Sequence, residues 1–131
     1  MIVLDTHALI WWADSGSKLS TRARQVIRAK SRRRELIVSA ISVFEIIALE
    51  RRGRIAFKTS AAEWLADLRM LPELNVHPVT QEIAERAGGL GDAFPGDPAD
   101  RIIAATALAL GAALITHDTK LIEVPNLDTV W

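Results

Sequence analysis

The sequence predicts a single α/β domain built in three layers, α/β/α, around a mostly parallel central sheet. Three observations carry that expectation. Short apolar runs rich in Ile, Val and Leu alternate with longer stretches of helical periodicity. Hydrophobic residues make up 50% of the 131, enough for a core without disulfide or metal staples, and no linker, repeat or low-complexity tract divides the chain. Helix-start residues (Ser, Thr, Asp) and helix-stopping glycines fall at the junctions between runs.

Taken in order, "MIVL" is a strand that ends at Asp5, and "THALIWWA" begins a helix immediately after it. This N-terminus lacks a basic leader and carries an acid at position 5, so it reads as a first strand rather than a signal peptide. A second helix begins near Ser20 and carries "TRARQVIRAKSRRR"; a strand "ELIVS" and a helix "AISVFEIIALERRG" follow. Next come a helix around "SAAEWLADLRML", a strand "LNVHPV" and a short helix starting at Thr80. The uncharged run from Ile102 to Thr116 is shorter than the roughly 18 to 20 residues of a membrane span. Gly111 interrupts it, so it divides into a helix from the cap Asp97 and Pro98 to about Leu110 and a buried strand "AALIT". "NLDTVW" closes the chain as an edge strand.

Composition excludes several classes. Sixteen basic residues balance 16 acidic ones, so the overall charge does not attract nucleic acid, and local patches would have to hold any such partner. The absence of cysteine excludes disulfides and thiolate metal sites, in keeping with a cytoplasmic protein that has no membrane segment.

In an open parallel sheet, ligands bind beyond the carboxyl ends of the strands. Asp5 ends the first strand, Asp118 follows "AALIT" by two residues, and Asp100 lies in the first turn of the helix that feeds that strand. Glu45 has Ile41, Ser42, Ala48 and Leu49 at helical neighbour spacing, which sets its carboxylate within or beside an apolar stripe. Taken singly, Asp5, Asp97 and Asp118 read as helix caps, Asp100 as a partner of the helix dipole, and Glu45 as a snorkelling side chain or one paired with a buried arginine. Brought together, carboxylates repel by about 4 kcal/mol per pair at roughly 4 Å and an effective dielectric near 20. A divalent cation removes that cost. All-oxygen ligands select Mg²⁺ or Mn²⁺ over zinc, and such a site suits phosphodiester hydrolysis by an activated water, with Asp5, Glu45, Asp100 and Asp118 as metal-binding and catalytic residues.

The stretches "LDTHALIWW", "FEI" followed by "RRGRI", "GDPADRIIAATALALGAALITHD" and the closing "VW" resemble PIN-domain ribonucleases, specifically the VapC-type toxins of type II toxin–antitoxin pairs. The resemblance spans essentially the whole chain. It implies a PIN-like fold, an acidic centre at Asp5, Glu45, Asp100 and Asp118 that binds Mg²⁺ or Mn²⁺, and supporting hydroxyls at Thr6 and Thr116. It further implies an RNA substrate, a VapB-like antitoxin whose basic tail enters the acidic cleft, and a homodimer formed through apolar helical surface with Trp11 or Trp12 as anchor. One departure is "AFPG" ahead of Asp97, where many relatives carry a histidine.

Other features are read two ways. His7 and His117 adjoin proposed ligands but are expected to be structural or solvent-facing, and His77 carries no function. Arg32, Arg33 and Arg34, with Arg51, Arg52 and Arg54, either grip RNA phosphates or form solvated helix ends. Trp11 and Trp12 are expected in the core or at a protein interface rather than stacked on bases. The competing functions are a non-catalytic interaction module, in which the acids only cap helices, and an Asp-dependent phosphotransfer domain. His7 stands where a dehalogenase-like enzyme needs a second aspartate.

Overall fold

The computed structural model describes all 131 residues. In chain order the elements are β1 (Ile2–Leu4), α1 (Thr6–Ala13), α2 (Thr21–Arg32), β2 (Leu36–Ser39), α3 (Ala40–Arg51), α4 (Ala61–Arg69), β3 (Leu74–His77), α5 (Gln81–Gly89), α6 (Pro98–Leu110), β4 (Ala113–Ile115), α7 (Thr119–Ile122) and β5 (Thr129–Val130). The five strands form one sheet in the order β3-β2-β1-β4-β5, and every neighbouring pair is parallel. No helix is long and apolar enough to cross a membrane.

The period-two alternation of the strands sorts the core into two halves. Ile2, Leu4, Leu36, Val38 and Ile115 point to one face, where they meet Ala8 and Leu9 of α1, Ala23 and Ile27 of α2, and Leu65 and Leu68 of α4. Val3, Ile37 and Leu114 point to the other face and meet Ile103, Ala104 and Ala107 of α6. Two apolar layers on opposite faces of one sheet give the three-layer architecture expected from the sequence. A sheet covered on both sides also explains why its strands read as unbroken apolar runs.

Helix starts obey local chemistry. Each long helix is entered through a side-chain oxygen, from Asp5, Ser20, Ser39, Ser60, Thr80 and Asp97 in turn. Gly111 ends α6 in the left-handed conformation at φ 61°, where its lack of a Cβ is needed. The boundaries shift where a local rule intervenes. The second helix stops at Arg32 because Arg34 turns to a positive φ of 57° to start β2. β3 stops at His77, one residue before Pro78, which has no N–H to continue a ladder. The closing segment pairs through Thr129 and Val130 alone.

Candidate active site

β1 and β4 lie side by side with Leu4 opposite Ile115, so the residues that leave them, Asp5 and Thr116, emerge together at the carboxyl end of the sheet. The main-chain N–H of Asp5 donates to the Ile115 carbonyl at 3.1 Å, which fixes that junction. α3 brings Glu45 from one neighbouring element and α6 brings Asp97 and Asp100 from another. The five carboxylates of Asp5, Glu45, Asp97, Asp100 and Asp118 line one cleft of about 500 Å³. The four acids singled out in the sequence therefore share one site, and Asp97 joins them.

Capping and cleft-lining prove compatible. One oxygen of Asp5 accepts from the Ala8 N–H at 2.8 Å, one of Asp97 from Ala99 at 2.8 Å and Asp100 at 3.2 Å, and one of Asp118 from Lys120 at 2.9 Å. A carboxylate has two oxygens, so a residue fixed by its cap still presents the other. The cap supplies rigidity without using up the carboxylate's remaining acceptor capacity. In the sequence alone these roles compete, and Asp97 reads there as a cap.

Glu45 neither snorkels nor meets an arginine. Its partner is neutral: the Thr6 hydroxyl donates to Glu45 Oε1 at 2.5 Å. With its hydrogen committed there, Thr6 accepts from the buried Ser42 hydroxyl at 2.9 Å. Ser42 sits one turn before Glu45 on α3, so the relay ties α1 to α3 and orients the carboxylate. Thr116 performs a parallel service. Its oxygen accepts from the Asp118 N–H at 3.1 Å, and its hydroxyl hydrogen-bonds the Asp5 carboxylate. The sequence shows Ser42 only as a helical neighbour of Glu45, and that spacing is its one signal of a role.

The electrostatics are those of a cluster compensated only in part, by His7 acting on Asp5 and Glu45. Burial pushes the Asp5 carboxyl above its ordinary range, against the hydrogen bonds from Thr116 and Ala8. Glu45 is likewise raised by burial, with the charges of Asp97 and Asp5 adding to the effect and the Thr6 bond opposing it. Asp100 is pushed up to about 7, first by burial and then by the charges of Asp97, Asp118, Glu45 and Asp5. The ion pairs of the chain join Glu35 to the N-terminus and Lys30, and Glu82 to Arg86; none reaches the cleft.

An oxygen-only set of clustered, unpaired carboxylates fits a hard divalent ion. No three of the acidic or imidazole groups converge on one point as a ready-made coordination sphere. That is compatible with Mg²⁺, which keeps several of its waters and is commonly held through one or two carboxylates.

The basic residues divide. Arg32 ends α2 and, with Arg33 and Arg34, precedes β2, at the amino end of the sheet and opposite the cleft. Arg51 and Arg52 close α3, a helix that starts at the carboxyl end of β2 and carries its last turn away from it. Arg54 alone of the six lines a groove, with Lys18 and Lys58, that shares His7 and Trp11 with the acidic cleft. His7 and His117 are solvent-exposed, as expected, and both line the cleft. Trp11 does not form an outward anchor: its ring meets those of His7, His117 and Trp131. Trp12 packs half-buried against the core and lines an apolar groove with Trp64, Leu68 and Leu71, and a further outward apolar pair stands on α3, where Phe44 is 68% and Ile47 38% exposed. The sequence also concealed Arg101, whose guanidinium donates to the carbonyls of Ala87 (3.0 Å), Pro95 (3.3 Å) and Leu90, pinning the loop that delivers Asp97.

A family model described as "PIN domain" matches residues 2–127. The chain is 37% identical over 132 residues to Ribonuclease VapC22 of Mycobacterium tuberculosis, covering 99% of this chain and 98% of that one. Among solved structures, VapBC2 from Rickettsia felis bound to a DNA fragment from their promoter superposes with a TM-score of 0.71 at 18% identity, covering 99% of this chain and 98% of that chain. FitAcB from Neisseria gonorrhoeae gives a TM-score of 0.70 at 18% identity, with 100% and 97% covered. These last two likenesses concern the fold.

Proposed function

We propose, for a chain that belongs to the PIN-domain family and within it to the VapC group, that it is a metal-dependent endoribonuclease and the toxin of a toxin–antitoxin pair. The observation that carries this reading is the cleft of five carboxylates with no lysine or arginine in its lining, at the carboxyl end of a parallel sheet. Asp5, Glu45, Asp100 and Asp118 would hold Mg²⁺ or Mn²⁺ and its waters. Bound there, the ion supplies neutralisation of phosphate charge and acidification of water. The protein's own groups supply the geometry. The caps on Asp5 and Asp118 fix two oxygens on adjacent strand ends, and the Ser42–Thr6 relay holds Glu45 Oε1 so that its other oxygen can orient a water toward the scissile phosphate. No side-chain nucleophile is required. Thr6 and Thr116 act by positioning the carboxylates they touch.

The proposed partners follow from the same charge. A VapB-like antitoxin with an arginine in its tail would pair with the cleft bidentately and keep substrate and metal out. A second copy of the chain would cover Phe44 and Ile47 of α3 in a homodimer.

The test is cleavage of a mixed RNA pool by the purified protein in Mg²⁺, in Mn²⁺ and in chelator. Cleavage restored by metal and absent in chelator is expected. Cleavage that persists in chelator would remove the metal, and no cleavage of any RNA in either metal would remove the nuclease.

A further inference from the structure

The ring of Trp131, which follows β5, stacks on His117 at a centroid distance of 4.6 Å and an angle of 5°. Trp11 stands edge-on to both, 5.7 Å and 61° from Trp131 and 6.5 Å and 64° from His117. His117 is solvent-exposed and lines the acidic cleft together with Trp11, whereas Trp131 does not line it. Covered by Trp131 on one face and exposed elsewhere, the imidazole forms with Trp11 an aromatic corner on the lining of the carboxylate cleft. Three rings, from α1, the β4–α7 turn and the residue that follows β5, are brought together next to charged groups. Burial alone does not require that arrangement, because an exposed histidine contributes little to a core.

We propose that this corner is a base-stacking platform: an unpaired nucleobase flanking the scissile phosphate lies on the free face of His117, extending the Trp131–His117 stack, with Trp11 closing its edge. This deepens the ribonuclease reading and rests on it. Offset parallel rings favour stacking of this kind, and every base offers a π face, so the platform selects single-stranded over paired RNA without reading sequence. The adjoining groove supplies a path for the backbone. It shares His7 and Trp11 with the cleft and carries Lys18, Arg54 and Lys58 alongside Asp14 and Asp67, so three cations against two acids leave it able to hold phosphates that the cleft's carboxylates repel. Nucleotides would thus be held by charge along the groove and by an aromatic face at the cleft.

The experiment measures binding apart from cleavage. In an Asp100→Asn background that leaves RNA intact, the affinity for a labelled single-stranded RNA oligomer in Mn²⁺ is compared among His117, His117→Ala and His117→Phe. His117→Ala should bind about tenfold more weakly and His117→Phe close to the parent, because phenylalanine keeps the π face and loses only the ring nitrogens. The same oligomer in a duplex should bind all three alike, and melting temperatures should agree among the variants. Equal affinity of His117→Ala and the parent would overturn the platform, as would a phenylalanine variant as weak as the alanine one. Loss of affinity for a basic peptide with none for RNA would assign the corner to a protein partner and equally overturn it. Cleavage by the unmodified protein is scored separately, so failure of the nuclease reading is distinguishable from failure of the platform.

Discussion

The two ends of the same parallel sheet handle charge in opposite ways. At the amino end, Glu35 just before β2 sits 3.4 Å from the Met1 ammonium and 3.6 Å from Lys30 Nζ, and its carboxyl is held below the ordinary range. At the carboxyl end, five carboxylates line one cleft with hydroxyls and backbone N–H groups as their hydrogen-bond partners, and three of them are raised. One end is satisfied by ion pairs within the chain; the other has no lysine or arginine to pair with its acids. The difference supports the proposal that the carboxyl end is the working face more directly than any single residue does, because clustered like charge opposes folding and persists where an external ligand offsets it.

The contrast breaks most severely if the acids are dispensable. Asp100→Asn keeps the side chain's shape and removes one charge, so metal-dependent RNA cleavage should fall about a hundredfold or more while the fold is retained. Cleavage at the parent rate, with circular dichroism unchanged, would remove Asp100 from the site.

A smaller loss is expected from the hydroxyl relay. Thr6→Val retains the shape of the side chain but leaves Glu45 without its donor and Ser42 without its acceptor, so cleavage should drop about 10- to 100-fold, and Thr6→Ser should recover most of it. Equal losses in the Val and Ser variants would point to packing instead of the hydrogen bond.

Stability should also distinguish the ends. The folded Asp100 carboxyl holds its proton up to about 7, against 3.8 for the ordinary group, so between those values the native state binds more protons than the unfolded one. The stabilisation is complete below the lower value and is lost as pH rises through the upper one. With solvent screening of a half-buried group allowed for, the loss in chelator is about 1 to 2 kcal/mol, a few degrees of melting temperature. Burial and repulsion act on Glu45 in the same sense, so Glu45→Gln in chelator should melt higher than the parent at pH 8. Thermal melts of parent and variants from pH 4 to pH 8 check this, and a parent that grows more stable with rising pH would contradict it.

The least effect belongs to the opposite end. Glu35→Gln breaks two solvent-exposed ion pairs and should leave the melting temperature and cleavage unchanged within measurement, because exposed pairs contribute little. A clear drop in melting temperature would mean that the amino end depends on its charges after all.

Much of this was legible in the chain. Strand and helix order followed from periodicity and caps, since those are local: Asp97, Pro98 and Gly111 mark the ends of α6 by their own backbone chemistry. The short elements were less legible. β5 is two residues long and exists because β4 offers it an edge, and β3 ends where Pro78 withdraws a donor. The acidic quartet could be picked out because a parallel sheet gathers the residues at its strand ends, so Asp5 and Asp118 needed only strand assignments to be placed together. What lay beyond local sequence was partnership. Glu45 is separated from Thr6 by 39 positions, and Trp131 meets Trp11 and His117 only because β5 pairs with β4. Sequence by itself determined which residues are acidic, which runs are apolar and where helices start, because each depends on neighbours in the chain. Tertiary structure alone decided that Asp97 lines the cleft it caps beside, that Arg32, Arg33 and Arg34 lie at the far end from it, and that the aromatic corner adjoins it, because strand order sets which distant residues share a face.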